Sequence, residues 1–88
     1  MKNKVLIKLI VPEIDSSFDV FIPVNELIWK VKRLAMKSVY DLSGRVFDVN
    51  TDFYLINKEN GRIYDNNEII IETDIRNATE IIAISKKV

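Results

Sequence analysis

The strongest constraint on this chain is one long helical pattern, running from Pro23 to Leu42. Leu27, Val31, Leu34, Ala35, Ser38 and Leu42 recur at steps of three and four, which stacks them on one side of a 3.6-residue helix. Lys30, Lys32, Arg33 and Lys37 fall largely on the other flanks. Asn25 is an acceptable N-cap, and Val24 and Trp29 stand at the spacing of a hydrophobic staple around it. Pro23 can precede a helix but could not sit within one. Ser43-Gly44 marks the stop, because glycine takes the left-handed conformation that closes many helices. The apolar runs on either side read as strands, so the helix must find its cover on a sheet.

The first of those runs, Lys4 to Val11, is rich in β-branched and aliphatic residues. Residues 13–17 then read as a turn, since Asp15 and the two serines can bond their own backbone. Phe18 to Ile22 is the second strand, and the pair makes an antiparallel hairpin. Beyond the helix, Arg45 to Asp52 is a loop of mixed character. Phe53 to Ile56 is a strand, Asn60-Gly61 a tight turn, and Arg62-Ile63-Tyr64 a short partner strand. Asn67 can cap a single turn through Ile69 and Ile70. The run Ile69-Ile70-Ile71 is ambiguous, because β-branched residues favour a strand, and an irregular or one-turn element is the expectation. Residues 73–77 form a tight connection, and Thr79 to Ser85 is the last strand.

Composition narrows the function by exclusion. Eighty-eight residues make a single domain, residues 1–88, with a modest core. Hydrophobic residues at 48% and charged residues at 30% are ordinary globular values, so the chain is expected to fold. Thirteen basic residues balance thirteen acidic ones, which gives no electrostatic case for nucleic acid or an anionic membrane. Cysteine and histidine are both missing, and with them thiolate chemistry, the commonest general base and the commonest metal ligand. Lys8 and Pro12-Glu13 interrupt the N-terminal apolar run before a signal-peptide core forms, and nothing approaches a membrane-spanning length. A soluble cytoplasmic domain without membrane insertion is the expectation.

Catalytic machinery is not in view either. Ser16, Ser17, Ser38, Ser43 and Ser85 have no histidine to activate them, and no Ser-Lys or carboxylate pair has distinctive spacing. Gly44 and Gly61 are too few for a phosphate-cradling loop. Asp65, Asn66, Asn67 and Glu68 lack the spacing of a calcium loop and read as turn chemistry. No catalytic residue, cofactor or metal is expected.

The order strand, strand, long helix, strand, short strand, one-turn segment, strand resembles the ubiquitin-like β-grasp fold. Three places carry the likeness: Phe21-Ile22-Pro23 running straight into Leu27-x-x-x-Val31, the Tyr64-Asp65 strand end, and residues 73–77 before Ile81-Ile82-Ala83-Ile84. The resemblance implies an α+β domain, a mixed sheet of four to five strands with one long helix packed on one face. Where ubiquitin-like sequences often carry Asn-Gly in the last connection, this chain has Asn77-Ala78, which leaves the turn type open. Within the superfamily the chain is similar to the small bacterial ubiquitin-like proteins of the YukD/EsaB kind, associated with type VII (ESX-like) secretion. That similarity implies a non-enzymatic protein-interaction module, an accessory component of a secretion system. Two alternatives stand beside it: a ubiquitin-like modifier or sulfur carrier, and a structural homodimerisation domain. Modifiers and carriers end in a di-glycine that threads an adenylating enzyme's channel, and Ser85-Lys86-Lys87-Val88 is too bulky for that channel.

Strand alternation supplies the candidate site. If Val5, Ile7, Leu9, Val20, Phe53, Leu55, Ile81 and Ala83 face the helix, then Leu6, Ile10, Phe21, Tyr54, Ile56, Ile82 and Ile84 face away from it. A half-covered antiparallel sheet normally shows polar residues on its open side. A contiguous apolar patch there is a candidate surface for a protein partner or for self-association, since superfamily members commonly bind through this face. The competing expectation is that strand register or loop cover buries these residues.

Overall fold

The computed structural model describes residues 3–42 and 51–86. It contains strands β1 (Lys4–Val11) and β2 (Ser16–Pro23), helix α1 (Ile28–Leu42), and strands β3 (Phe53–Asn57) and β4 (Glu80–Ser85). Single 3-10 turns lie at Pro12–Ile14 and Ile70–Glu72. The sheet has the order β2-β1-β4-β3, with β1 and β4 parallel and the other two pairs antiparallel. This is the α+β grasp architecture expected from the sequence, with four strands in the sheet and one helix across one face among the described residues.

The hairpin is longer than the alternation suggested. Pro12 sets the backbone for the 3-10 turn, and Asp15 takes a left-handed φ of 51°, which a short polar side chain tolerates. The turn closes with the Asp15 amide donating to the Pro12 carbonyl at 3.0 Å. All eight residues of β1 then pair with β2, from Lys4 opposite Pro23 to Val11 opposite Ser16. Pro23 therefore ends an edge strand, where its missing N–H costs no ladder bond.

The helix is rotated from its expected setting. Its first residue is Ile28, and the buried stripe is Ile28, Val31, Lys32, Ala35 and Val39. Val31 and Ala35 belong to the expected stripe, whereas Leu34 is 57% exposed and Ser38 is also exposed. The reason lies at the N-terminus. Leu27 is not helical: it bridges Ile69 in an antiparallel contact, and its carbonyl accepts the Lys30 and Val31 amides. Asn25 does not cap the helix. The leading amides are taken by a neighbouring loop instead, Ile28 N–H donating to the Glu68 carbonyl at 2.8 Å and Trp29 N–H to that of Asn66 at 3.3 Å. The Leu42 side chain, the Ser43-Gly44 stop and residues 45–50 lie outside the described residues.

The core is filled from both sides as alternation requires. Val5, Ile7, Leu9, Val11, Ile22, Phe53, Leu55, Ile81 and Ala83 face the helix stripe, and Ile70 and Ile75 are buried in the same cluster. Val20 is only partly buried, at the edge of this cluster. Ile70 anchors the one-turn element, which begins after an extended Ile69 and draws no cap from Asn67. The short partner strand reduces to one bridge, Ile63 to Ile56, with the Tyr64 amide donating to Leu55. Gly61, at φ 75°, makes the tight turn that permits it.

The connection into β4 holds one strained residue. Ala78 sits at φ 72°, where ubiquitin-like sequences often place glycine. The strain is held by useful bonds: Ala78 N–H donates to the Leu6 carbonyl at 2.8 Å, and Asn77 Oδ1 accepts the Leu6 amide at 2.9 Å. The turn thus completes the β1 ladder where β4 has not yet begun. Ala78→Gly should stabilise the fold by about 0.5–1 kcal/mol, the relief of the left-handed penalty outweighing the added unfolded-state entropy. Urea unfolding that showed a loss would mean the turn is not held as described.

Candidate functional site

The face of the sheet away from α1 is built in rows that cross the strands, and register sets each row. One row pairs Phe21 with Leu6. The next runs Asp19, Lys8 and Glu80, and is completed by Lys58, whose Nζ lies 3.3 Å from Glu80 Oε2. A third runs Ser17, Ile10, Ile82, Ile56 and Ile63. The last pairs Ile84 with Tyr54.

All seven residues named from alternation lie on this face, but they are not one contiguous patch. The row Asp19-Lys8-Glu80-Lys58 separates Leu6 and Phe21 from the rest. The larger apolar area is the isoleucine row with Ile84 and Tyr54 beside it. Ile10, Ile56 and Ile82 are half-buried, packed against one another across the strands, while Tyr54 is 45% and Ile84 40% exposed. Ile63 was missed by the alternation argument and is 56% exposed at the end of the row. Its signal was the neighbouring Tyr64: in a strand-like segment a buried tyrosine sends the preceding residue to the opposite face.

A polar cluster fixes Ile63 in place. The Tyr64 hydroxyl donates to Asp74 and accepts the Asn57 side-chain amide at 3.1 Å. Asn60 Nδ2 also donates to Asp74, at 3.0 Å, and the Arg62 guanidinium pairs with Glu68 and lies 5.1 Å from the Tyr64 ring centre. Burial, helped by the bond to Asp74, pushes the Tyr64 hydroxyl up to about 12. The bond from Tyr64 holds the Asp74 carboxyl below its usual range, with Asn60 and Arg62 adding to the effect.

Tyr54 is held from the other side. Lys86 Nζ lies 4.7 Å from its ring centre and 3.0 Å from Asp52, which also faces Lys32 at 3.7 Å. Burial opposes ionisation of Asp52, but hydrogen bonds from Lys86 and the Phe53 amide and the Lys32 charge outweigh it, so its carboxyl stays below the ordinary value. Lys32 is buried and donates to Asn66 Oδ1 at 2.7 Å; burial brings its ammonium below the ordinary value against the pull of Asp52. Asp65 and Glu68 bond each other's backbone in the same loop, so these residues serve the turn. Among the described residues no cluster of acidic side chains is arranged to hold a metal ion, and no helix is long and apolar enough to cross a membrane.

No protein-family model and no curated protein matches the chain. Solved structures do. The C-terminal ubiquitin-like domain of human 2'-5'-oligoadenylate synthetase-like protein superposes with a TM-score of 0.69 at 16% identity, covering 100% of this chain and 90% of that one. The ubiquitin-like domain of an Arabidopsis thaliana protein does so with a TM-score of 0.65 at 15% identity, covering 98% and 81%. A chain of an ESX-5 inner membrane complex aligns with a TM-score of 0.69 at 11% identity, covering 94% of this chain and 21% of that one. At these identities the likeness is one of fold. The chain has the ubiquitin-like α+β grasp fold.

Proposed function

We propose that the chain is a non-enzymatic, cytoplasmic protein-interaction module of the YukD/EsaB kind, an accessory component of a bacterial type VII secretion system. The observation that supports an interaction role is the row Ile10-Ile82-Ile56-Ile63, half-buried along the strands and exposed at Ile63, with the exposed Tyr54 and Ile84 beside it. Apolar and aromatic side chains at the centre of a patch with a charged rim are the usual anatomy of a protein interface. The secretion role draws support from the fold likeness to a segment of the ESX-5 complex chain. Its partner is a protein surface, a secretion-system component, and neither nucleic acid nor membrane insertion is part of the reading.

Exposed members of the patch give the test. Ile63→Asp and Ile84→Asp should each weaken binding to secretion components encoded beside the chain by at least about tenfold in calorimetric titration. Circular dichroism should show both variants folded, because both side chains are outside the core. Undiminished binding by folded variants would sink the open-face reading.

A second reading, self-association, has its own observation. The signs along Asp19-Lys8-Glu80-Lys58 alternate, so a two-fold axis parallel to the strands would set Asp19 against Lys58 and Lys8 against Glu80. Sedimentation velocity over a concentration series separates the two readings, since a dimer would break down in Lys58→Glu.

A further inference from the structure

The outer face of α1 holds a second surface, independent of the open sheet. Residues 28–42 contain Lys30, Lys32, Arg33 and Lys37 against Asp41 alone, in a chain whose formal net charge is zero. Lys32 is buried and already engaged with Asn66 and Asp52. The remaining three follow one another at steps of three and four, which makes a single exposed stripe. Leu34, 57% exposed, stands on the margin of that stripe, four residues after Lys30 and three before Lys37. On the opposite margin lies Trp29, its ring centre 5.6 Å from Lys30 Nζ and 6.0 Å from the Arg33 guanidinium carbon.

The position of this charge is the telling point. A helix favours acids in its first turn and bases in its last, because the macrodipole is positive at the N-terminus. Here the first turn has no acidic residue and the last turn no basic one. Lys30 and Arg33 sit near the positive end, where their field adds to the dipole instead of offsetting it. Glu26 offsets a part of it through an exposed pair with Lys30 at 3.7 Å, which contributes little in water. The stripe therefore weakens the helix it lies on, and it sets three cations, bracketed by Glu26 and Asp41 at its two ends, beside an exposed leucine and a tryptophan.

We infer that this face docks an acidic amphipathic segment of a partner protein, its carboxylates on Lys30, Arg33 and Lys37 and its apolar side chains against Leu34 and Trp29. Charge supplies orientation and on-rate, and the two apolar anchors supply desolvated area.

Trp29 is the chain's one tryptophan, so the site carries its own reporter. The probe is a synthetic helical peptide with glutamates flanking leucines, titrated into the intact chain with Trp29 emission as readout. Binding should be saturable and should weaken at least about tenfold in Arg33→Glu/Lys37→Glu. It should also weaken about tenfold as salt rises from about 0.1 M to about 1 M, where the Debye length falls from about 10 Å to about 3 Å. Leu34→Ala should weaken it several-fold while leaving the thermal midpoint unchanged. Ile84→Asp should bind as the parent does, which keeps this result separate from that of the open face. No binding, binding that ignores salt, or equal binding of a peptide with lysine in place of glutamate would overturn the inference. So would tighter association with phosphatidylglycerol vesicles than with the peptide.

Discussion

Ile28→Ala is expected to lower the unfolding free energy by about 2–5 kcal/mol, whereas Leu34→Ala should change it by no more than about 0.5 kcal/mol. The contrast follows from helix rotation. Ile28 is fully buried where α1 begins, so truncating it leaves a cavity lined by core residues that are already close-packed. Leu34 is 57% exposed and loses little area when shortened. Urea unfolding of the two variants measures both values directly. Equal losses would mean the helix presents a different stripe to the sheet.

Tyr64→Phe should cost about 1–3 kcal/mol, because the buried hydroxyl serves two partners at once. Its removal takes the acceptor from the Asn57 side-chain amide and the donor from Asp74. Two pH limbs follow, with opposite signs. The hydroxyl is pushed up to about 12 in the folded chain, so its contribution is complete below the ordinary tyrosine value of about 10. That contribution is lost as pH rises towards the raised value. Asp74 is held down, so its contribution is present above the ordinary carboxylate value of about 3.9 and is lost as pH falls through the depressed one. Asp74→Asn should flatten the acid limb in part, since Asp52 is also held down and supplies a share of it. An acid limb unchanged in Asp74→Asn would show that the Tyr64 bond does not govern it.

The two surfaces are served by different parts of the fold. The open face depends on strand register, and the polar cluster around Tyr64 sets where Ile63 ends the isoleucine row. The helix surface depends on the rotation of α1, which puts Leu34 outward beside the cations. Fold-level likeness speaks to neither, because function resides in the side chains a scaffold carries.

Alternation along β1, β3 and β4 determined which residues enter the core, since a period of two assigns faces without reference to any neighbour. Val5, Ile7, Leu9, Phe53, Leu55, Ile81 and Ala83 are all buried as that rule requires, and the seven open-face residues lie opposite them. The helix stripe was less legible. Leu27-Leu34 and Ile28-Val39 are both apolar at helical spacing, and they share Val31 and Ala35. The choice fell to a tertiary contact: Leu27 bridges Ile69, so the helix begins at Ile28 and its leading amides bond to the loop at residues 66–68. Local pattern is equally silent on which residues of different strands lie side by side. The charged row exists only because register sets Lys8 between Asp19 and Glu80, and because Lys58 reaches Glu80 from the turn after β3. Periodicity settles which way a side chain points along its own strand; the neighbours it meets there are decided by pairing between residues far apart in the chain.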